Sequence, residues 1–456
     1  MDGAAGLQAG DGALALALID GEHYPDVIVA ALSFLEDTLR YRLAGIVFLG
    51  GTEKLPDLDR FSYRDVPVFA GGGQEADLRR ALARTGARVV LDLSDEPVLG
   101  YVERFRLVSE ALARGASYRG ADFYFEAPER PDLCDKPSIG VWGSGKRVGK
   151  TALAGYMARH LASRGTRPCI CTMGRGGPPE PELLSEPSAV TDAYLRDRVA
   201  AGCHAASDHF EDAMMGEVIA VGCRRCGGGM AGAPFYSNVR EGAALACAQN
   251  VDLVIFEGSG AAIPPVGVDA VLLATAATQP LDYLLGYLGP YRLLLSDLLV
   301  VTMCEEFLVS SEKLRKLIDG VLSINPEVKV VKTVFRPRPL GDLCERKVYL
   351  ASTAPPEGAK RQAEHLAREY GALIVGSSPN LADRARLAAD LAGARDAEVL
   401  VTELKAAGVD TVSLFARDND KEIVYLENQP VALDAGDLGE EIDHLEAAAR
   451  ARFTGR

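Results

Sequence analysis

The chain reads as α/β, built on parallel sheets, on three observations. Short apolar runs alternate with helical periodicities along most of its length. A glycine-rich turn joins an apolar run to a helix at 143–151, and a stretch rich in proline and charge at 127–136 parts two such alternating regions. The predicted plan is a Rossmann-like N-terminal parallel-sheet domain over 1–126, a linker at 127–136, a P-loop NTPase α/β domain over 137–378, and a helix-rich C-terminal extension over 379–456.

Taken in order, Ala13–Ile19 is predicted as a strand, Pro25–Arg40 as a helix and Gly45–Leu49 as a second strand. Val66–Phe69 reads as a short edge strand, because Pro67 cannot donate to a central ladder. A helix at 75–85, the strand Arg88–Leu93, a helix through 100–114 and a strand near Ala121–Phe125 complete the first region. Loops at the carboxyl edge of such a sheet bind ligands. That singles out Asp20 to His23, Gly50 to Lys54, and Asp92 to Glu96. Two readings of His23 stand, a substrate ligand or an ordinary surface or capping histidine.

Ile139, Val141 and Trp142 form the next strand, and Ala152 to His160 the following helix. Between them lies Gly143-Ser144-Gly145-Lys146-Arg147-Val148-Gly149-Lys150-Thr151. Glycines let backbone N–H groups wrap a polyphosphate, and the helix directs its positive end at it. Lys150 reaches the β- and γ-phosphates, and the Thr151 hydroxyl suits Mg²⁺. Ser144 stands where the common pattern has glycine, so this loop is one residue longer.

Pro168–Met173 is the next strand, and the loop after it carries Arg175 for phosphate and Glu180 and Glu182 for metal or water. Three prolines and three glycines exclude a helix there. Downstream, Arg224 and Arg225 precede Gly227, Gly228 and Gly229, a pairing of guanidiniums with approachable backbone that suits several phosphates. Ser207, Asp208, His209, Glu211 and Asp212 add carboxylates and an imidazole. Cys223 and Cys226 have CxxC spacing, with Cys203, His204 and His209 upstream, but no second pair completes a zinc set. Val251–Phe256 is a buried strand tipped by Glu257, the position for an acid that holds metal or orients water.

Leu298–Val301 leads to Met303 and Glu305, where guanine-specific P-loop proteins carry different residues, so adenine is expected. Val328–Val334 is followed by Arg336 and Arg338, read as further anion-binding groups at a strand's end. Lys347–Ala351 and Ala372–Ser377 flank a helix at 357–370. Lys405 is placed either near the site or at a solvated helix end. The tail, 436–456, is a polar amphipathic helix.

Bulk properties narrow the function. A chain of 456 residues with net charge −15 and pI near 5.0 repels nucleic-acid backbones, so no nucleic-acid partner is expected. The apolar stretch 281–301 is broken by Asp282, Pro290, Arg292 and Asp297, which argues against a membrane span. With no secretion signal at the N-terminus, the chain is expected in the cytoplasm and its nine cysteines as reduced thiols.

The passages IDGEHYP, GSGKRVGKTA, MGRGGPPEPE, EDAMMGEVIAVGCRRCGGGMAG, VIFEGSGAAIPP, TVFRPRP and ELKAAGVD together resemble the cyclic 2,3-diphosphoglycerate synthetase family. The longer loop is also similar to that of dethiobiotin synthetase, within the P-loop branch that includes MinD-type ATPases. The resemblance implies ATP-driven closure of an intramolecular phosphoanhydride in 2,3-diphosphoglycerate, giving ADP and phosphate. It implies Mg²⁺ on Thr151 and Glu257, with Glu180 as a further ligand. Lys150, Arg175, Arg224, Arg225, Arg336 and Arg338 would supply positive charge. Lys146 would act as the extra lysine of MinD-type loops, though offset by one position. His23 would come from the N-terminal sheet, and proteins of this branch form homodimers. Two rival readings remain: a synthetase activating another anionic acid, and a nucleotide switch or metallochaperone using Cys203, Cys223 and Cys226.

Overall fold

A computed structural model describes residues 10–455 except 56, 204, 206, 434 and 435. His204 therefore lies outside the described residues. Two compact units form. The first takes in the chain up to Pro128 together with Pro280–Leu295 and Asp319–Pro326; the second is the remainder.

The first unit holds a six-stranded sheet in the order Val68–Phe69, Arg42–Phe48, Leu14–Ile19, Val89–Asp92, Ser117–Arg119, Tyr124–Phe125. All neighbours run parallel except the last pair. Val68–Phe69 is the edge strand that Pro67 requires. Ser117–Arg119 was not foreseen; its three residues alternate weakly and lie before Gly120. The three loops expected at the carboxyl edge do meet. Gly21 N donates to Gly50 O at 2.8 Å, and buried Asp20 accepts from Asp95 N at 2.7 Å. Helix Tyr101–Ala113 packs on the segment from 280, with Phe105 edge-on to Tyr287.

The second unit carries one long sheet. At its centre the strand Ser138–Gly143 lies between Leu253–Glu257 and Ala270–Ala276, all parallel. Beyond Leu253–Glu257 follow Pro168–Gly174 and then Ile219–Cys226. On the other side come Leu298–Thr302 and Lys329–Pro339. Ile139, Val141, Leu272 and Ile255 are fully buried, as a sheet covered on both faces demands. One face is covered by the helix Lys150–Ser163 together with the terminal helix Leu438–Thr454, whose Leu438, Ile442, Leu445 and Ala449 enter the same core. The other face is covered by the helix Val239–Cys247, whose Val239, Ala243 and Ala246 pack with Val254 and Phe256.

Several elements differ from expectation. Ala270–Ala276 and Ile219–Cys226 are buried strands that the sequence reading did not assign. Within 379–456, read as helix-rich, Val399–Glu403 and Glu422–Ala432 are strands of the same sheet. Lys329–Pro339 does not stop at Val334. Its first half pairs with Leu298–Thr302 and its second, antiparallel, with Glu422–Ala432. Pro337 and Pro339 are tolerated because the alternate residues face the partner: Leu340 N donates to Tyr425 O at 2.9 Å. Cys134 and Cys247 are joined in a disulfide, which corrects the reading of nine reduced thiols. The linker lays Cys134 against the end of helix Val239–Cys247.

Candidate active site

The P-loop leaves the central strand at Gly143, where a side chain would crowd Val148 and Lys150. Ser144, in place of the usual glycine, is buried and bonds Thr275 at 2.9 Å and Gln279 at 2.7 Å. It fastens the longer loop to the unforeseen strand Ala270–Ala276. Gly145 closes the turn by accepting from Lys150 Nζ at 3.0 Å. Lys146 and Arg147 stand exposed at the apex, Arg147 with φ of 60°. Gly149 has φ of 85°, and its Cα lies against the Phe335 ring. Lys150 opens the helix, buried. Burial lowers its pKa, Arg175 and Arg225 lower it further, and Glu257 and Asp208 oppose them.

Thr151 Oγ1 donates to Glu257 Oε1 at 2.8 Å, which places the strand-tip acid at the loop as expected. Two residues not assigned a role join them. Thr172, near the end of Pro168–Gly174, donates to Glu257 Oε2 at 3.4 Å or to Asp212. Asp212 is fully buried, and its Oδ1 has no hydrogen-bond partner. It sits on helix Asp208–Gly216, where Asp208, Glu211 and Asp212 at i, i+3 and i+4 share one face. That spacing was the signal available in the sequence. Burial, and then Asp208, raise the Glu257 pKa to about 8, with Thr151 and Lys150 opposing; burial and Glu257 raise that of Asp212 well above its ordinary range.

The Thr151 hydroxyl, the Glu257 carboxylate and the unpartnered Asp212 oxygen are hard donors whose crowded charge a divalent cation would relieve, so they fit Mg²⁺. Glu180, expected among these ligands, is exposed and bonds neither Thr151 nor Glu257. The prolines before it are fastened elsewhere, Asn238 Nδ2 donating to Pro179 O at 3.1 Å. Glu182 is held by Arg198 at 2.6 Å and His209 at 3.2 Å.

Arg175, Arg224 and Arg225 line one cavity of about 560 Å³ with Gly176, Cys226 and Tyr236. Arg225 donates to Gly227 O at 2.5 Å and Ser259 O at 2.7 Å, and Arg224 Nε to Gly177 O at 3.1 Å. None of the three forms an ion pair with a carboxylate among the described residues. A Cβ on Gly260 would lie 2.8 Å from Arg175 and 3.3 Å from Arg225, so the two guanidiniums converge there.

Arg336 and Arg338 are not gathered with them. Alternation along an extended strand puts Phe335 on the P-loop side and both arginines on the other. Arg336 pairs with Glu305 at 3.3 Å, and Arg338 with buried Glu427 at 2.7 Å. Glu427 also holds Arg159, and Arg338 and Arg159 line a separate depression. His23 belongs to the first unit, where its Nδ1 lies 2.8 Å from Asp20. Cys223 and Cys226, three apart on a strand, face opposite ways. Cys223 is buried 3.8 Å from Cys171 and Cys226 is exposed, so they form no zinc set among the described residues.

Comparison with known proteins gives the chain a family. Profiles of cyclic 2,3-diphosphoglycerate synthetase match for its N-terminal domain at residues 14–126, its P-loop domain at 138–334 and its C-terminal domain at 339–429. The chain is 47% identical over 418 residues to a cyclic 2,3-diphosphoglycerate synthetase of Rubrobacter xylanophilus, covering 91% of this chain and 94% of that one. It is 47% identical over 433 residues to that of Thermococcus gammatolerans, covering 94% and 96%. Against that of Methanothermobacter thermautotrophicus it is 43% identical over 428 residues, covering 92% of each. The chain belongs to the cyclic 2,3-diphosphoglycerate synthetase family, and so to ligase-type enzymes with a P-loop nucleotide site. No helix among the described residues is long and apolar enough to cross a membrane.

Proposed function

We propose that this family member closes a phosphoanhydride within 2,3-diphosphoglycerate at the expense of ATP, releasing ADP and inorganic phosphate. One observation carries the reading. Lys150 and the guanidiniums of Arg175 and Arg225 are close enough to repel one another; Glu257 and Asp208 offset this only in part at Lys150, and none of the three is in an ion pair with a carboxylate among the described residues. Such cations are stable together only when several anionic groups enter between them. A nucleotide's terminal phosphates on the P-loop and a doubly phosphorylated acid in the arginine-lined cavity supply those groups.

The γ-phosphoryl passes from ATP to an oxygen of one substrate phosphate, and ADP leaves. An oxygen of the second substrate phosphate then attacks the first substrate phosphorus. The P–O–P ring closes and inorganic phosphate departs. Lys150 neutralises the transferred group, and the P-loop N–H groups hold its neighbours. Arg175, Arg224 and Arg225 screen the two substrate phosphates from each other, so that the attacking oxygen can approach. Mg²⁺, held by Thr151, Glu257 and Asp212, would supply further charge neutralisation between the nucleotide phosphates. The metallochaperone reading loses its support, since Cys203, Cys223 and Cys226 form no metal-ligand cluster among the described residues. Action in the cytoplasm and a homodimer go with the proposal, the latter checked by light scattering.

The test is ADP release with a panel of phosphorylated acids, followed by phosphorus NMR of the product. Turnover is expected with 2,3-diphosphoglycerate and abolished in Lys150→Ala. Equal turnover with a monophosphorylated acid, or undiminished turnover in that variant, overturns the proposal.

A further inference from the structure

The ELKAAGVD stretch has no role in the reaction as drawn, yet the fold carries it to the acidic helix. Lys405 follows the carboxyl end of strand Val399–Glu403, and its Nζ lies 2.8 Å from Glu211 Oε2. Glu211 is one helical turn from Asp208. Asp208 in turn lies beside Gly174, and Ser207 Oγ donates to Gly176 O at 2.8 Å. The column Lys405, Glu211, Asp208 thus ends at the loop that carries Arg175.

The position of Lys405 is built rather than accidental. Leu404 and Val409 are buried in one core cluster with Phe210 and Ala213 of the acidic helix. Tyr425, on the strand beside Val399–Glu403, donates to Asp192 at 2.8 Å and fixes the same face. Glu403 is occupied by Ser352 at 2.9 Å and Thr353 at 2.7 Å, which leaves Glu211 as the acid bonded to Lys405. An ammonium has three donors, and among the described residues one is used, on a side chain still 46% exposed.

We propose that Lys405 is a further substrate-binding group, which grips an anionic group of the phosphorylated acid and which Glu211 holds in place while the site is empty. This rests on the reaction proposed above. An arriving phosphate or carboxylate competes with Glu211 for the ammonium, so the two residues have opposite effects on affinity. A salt bridge with a purely structural role gives both substitutions the same sign.

The experiment compares Lys405→Ala, Lys405→Arg and Glu211→Gln in the full chain. It reads KM for 2,3-diphosphoglycerate, KM for ATP, the melting temperature, and the calorimetric Kd of the acid without nucleotide. Lys405→Ala is expected to raise KM and Kd for the acid on the order of ten- to a hundredfold, the scale of a lost charged hydrogen bond. KM for ATP should stay within about threefold, and Lys405→Arg should recover most of the loss. Glu211→Gln should lower the acid Kd. An unchanged acid Kd in Lys405→Ala, or a rise in both Lys405→Ala and Glu211→Gln, overturns the role of Lys405 and leaves the reaction assignment intact. Binding without turnover in the unaltered chain overturns the reaction instead, and the Lys405 comparison is then read on Kd. If the unaltered chain neither binds nor turns over the acid, both fall.

Discussion

Replacing Glu257 by Gln is expected to stabilise the metal- and nucleotide-free chain at pH 8 and to flatten its pH dependence. Glu257 is buried with Asp208 nearby, and its pKa rises from an ordinary 4.5 to about 8. Between those values the folded chain keeps a proton that the unfolded chain has released. Stability is therefore full below about pH 4.5 and is lost as pH rises through about 8, by ~1.4 kcal/mol per unit at most. Across the window the loss is on the order of 5 kcal/mol, a large share of a typical domain's stability. Asp212 is shifted in the same direction, and Glu257 is one of the causes, so the Gln variant relieves both. Gln also preserves an acceptor for the Thr151 hydroxyl. Urea denaturation in EDTA from pH 5 to 9 reads the difference. With Mg²⁺ and ATP present the order should reverse, because ligand that binds only the folded state stabilises it by mass action. Wild-type stability that is level or rising from pH 5 to 8, or an unchanged slope in Glu257→Gln, would refute the account.

Gly149→Ala combines a φ of 85° with overlap on Phe335, so strain of roughly 1–3 kcal/mol is expected in the loop itself. Calorimetry should show ATP binding weakened at least about tenfold, and normal binding with an unchanged melting temperature would contradict the packing described. Of the nine cysteines, the bridged pair leaves seven free. Thiol titration of the denatured, non-reduced chain should find seven, and Cys134→Ser should raise the count; nine in the unaltered chain would exclude the bridge.

The nucleotide end of the site was legible because its signals are local. A glycine loop between strand and helix places Lys150 and Thr151 by chain connectivity alone. An acid at the tip of an apolar strand places Glu257 at the same sheet edge. The face shared by Asp208, Glu211 and Asp212 could be read from helical spacing, but nothing in the spacing says that Thr172 and Glu257 lie against it. Arg336 and Arg338 were misplaced for a different reason. Whether a strand ends before a proline depends on which side its partner lies, and the partner, Glu422–Ala432, comes almost a hundred residues later. The alanine-rich run Ala270–Ala276 has no alternation to mark it, since a strand buried on both faces has none.

By itself the sequence determined the α/β class, the phosphate-binding loop and the supply of arginines, all of which follow from residue type and short-range periodicity. Only the tertiary structure decided which arginines share one cavity and which are neutralised by Glu305 and Glu427. It also decided that Ser144 is fastened to Thr275 and that Lys405 reaches Glu211. Those outcomes depend on strand order, and strand order is set by which apolar faces bury one another across long stretches of chain.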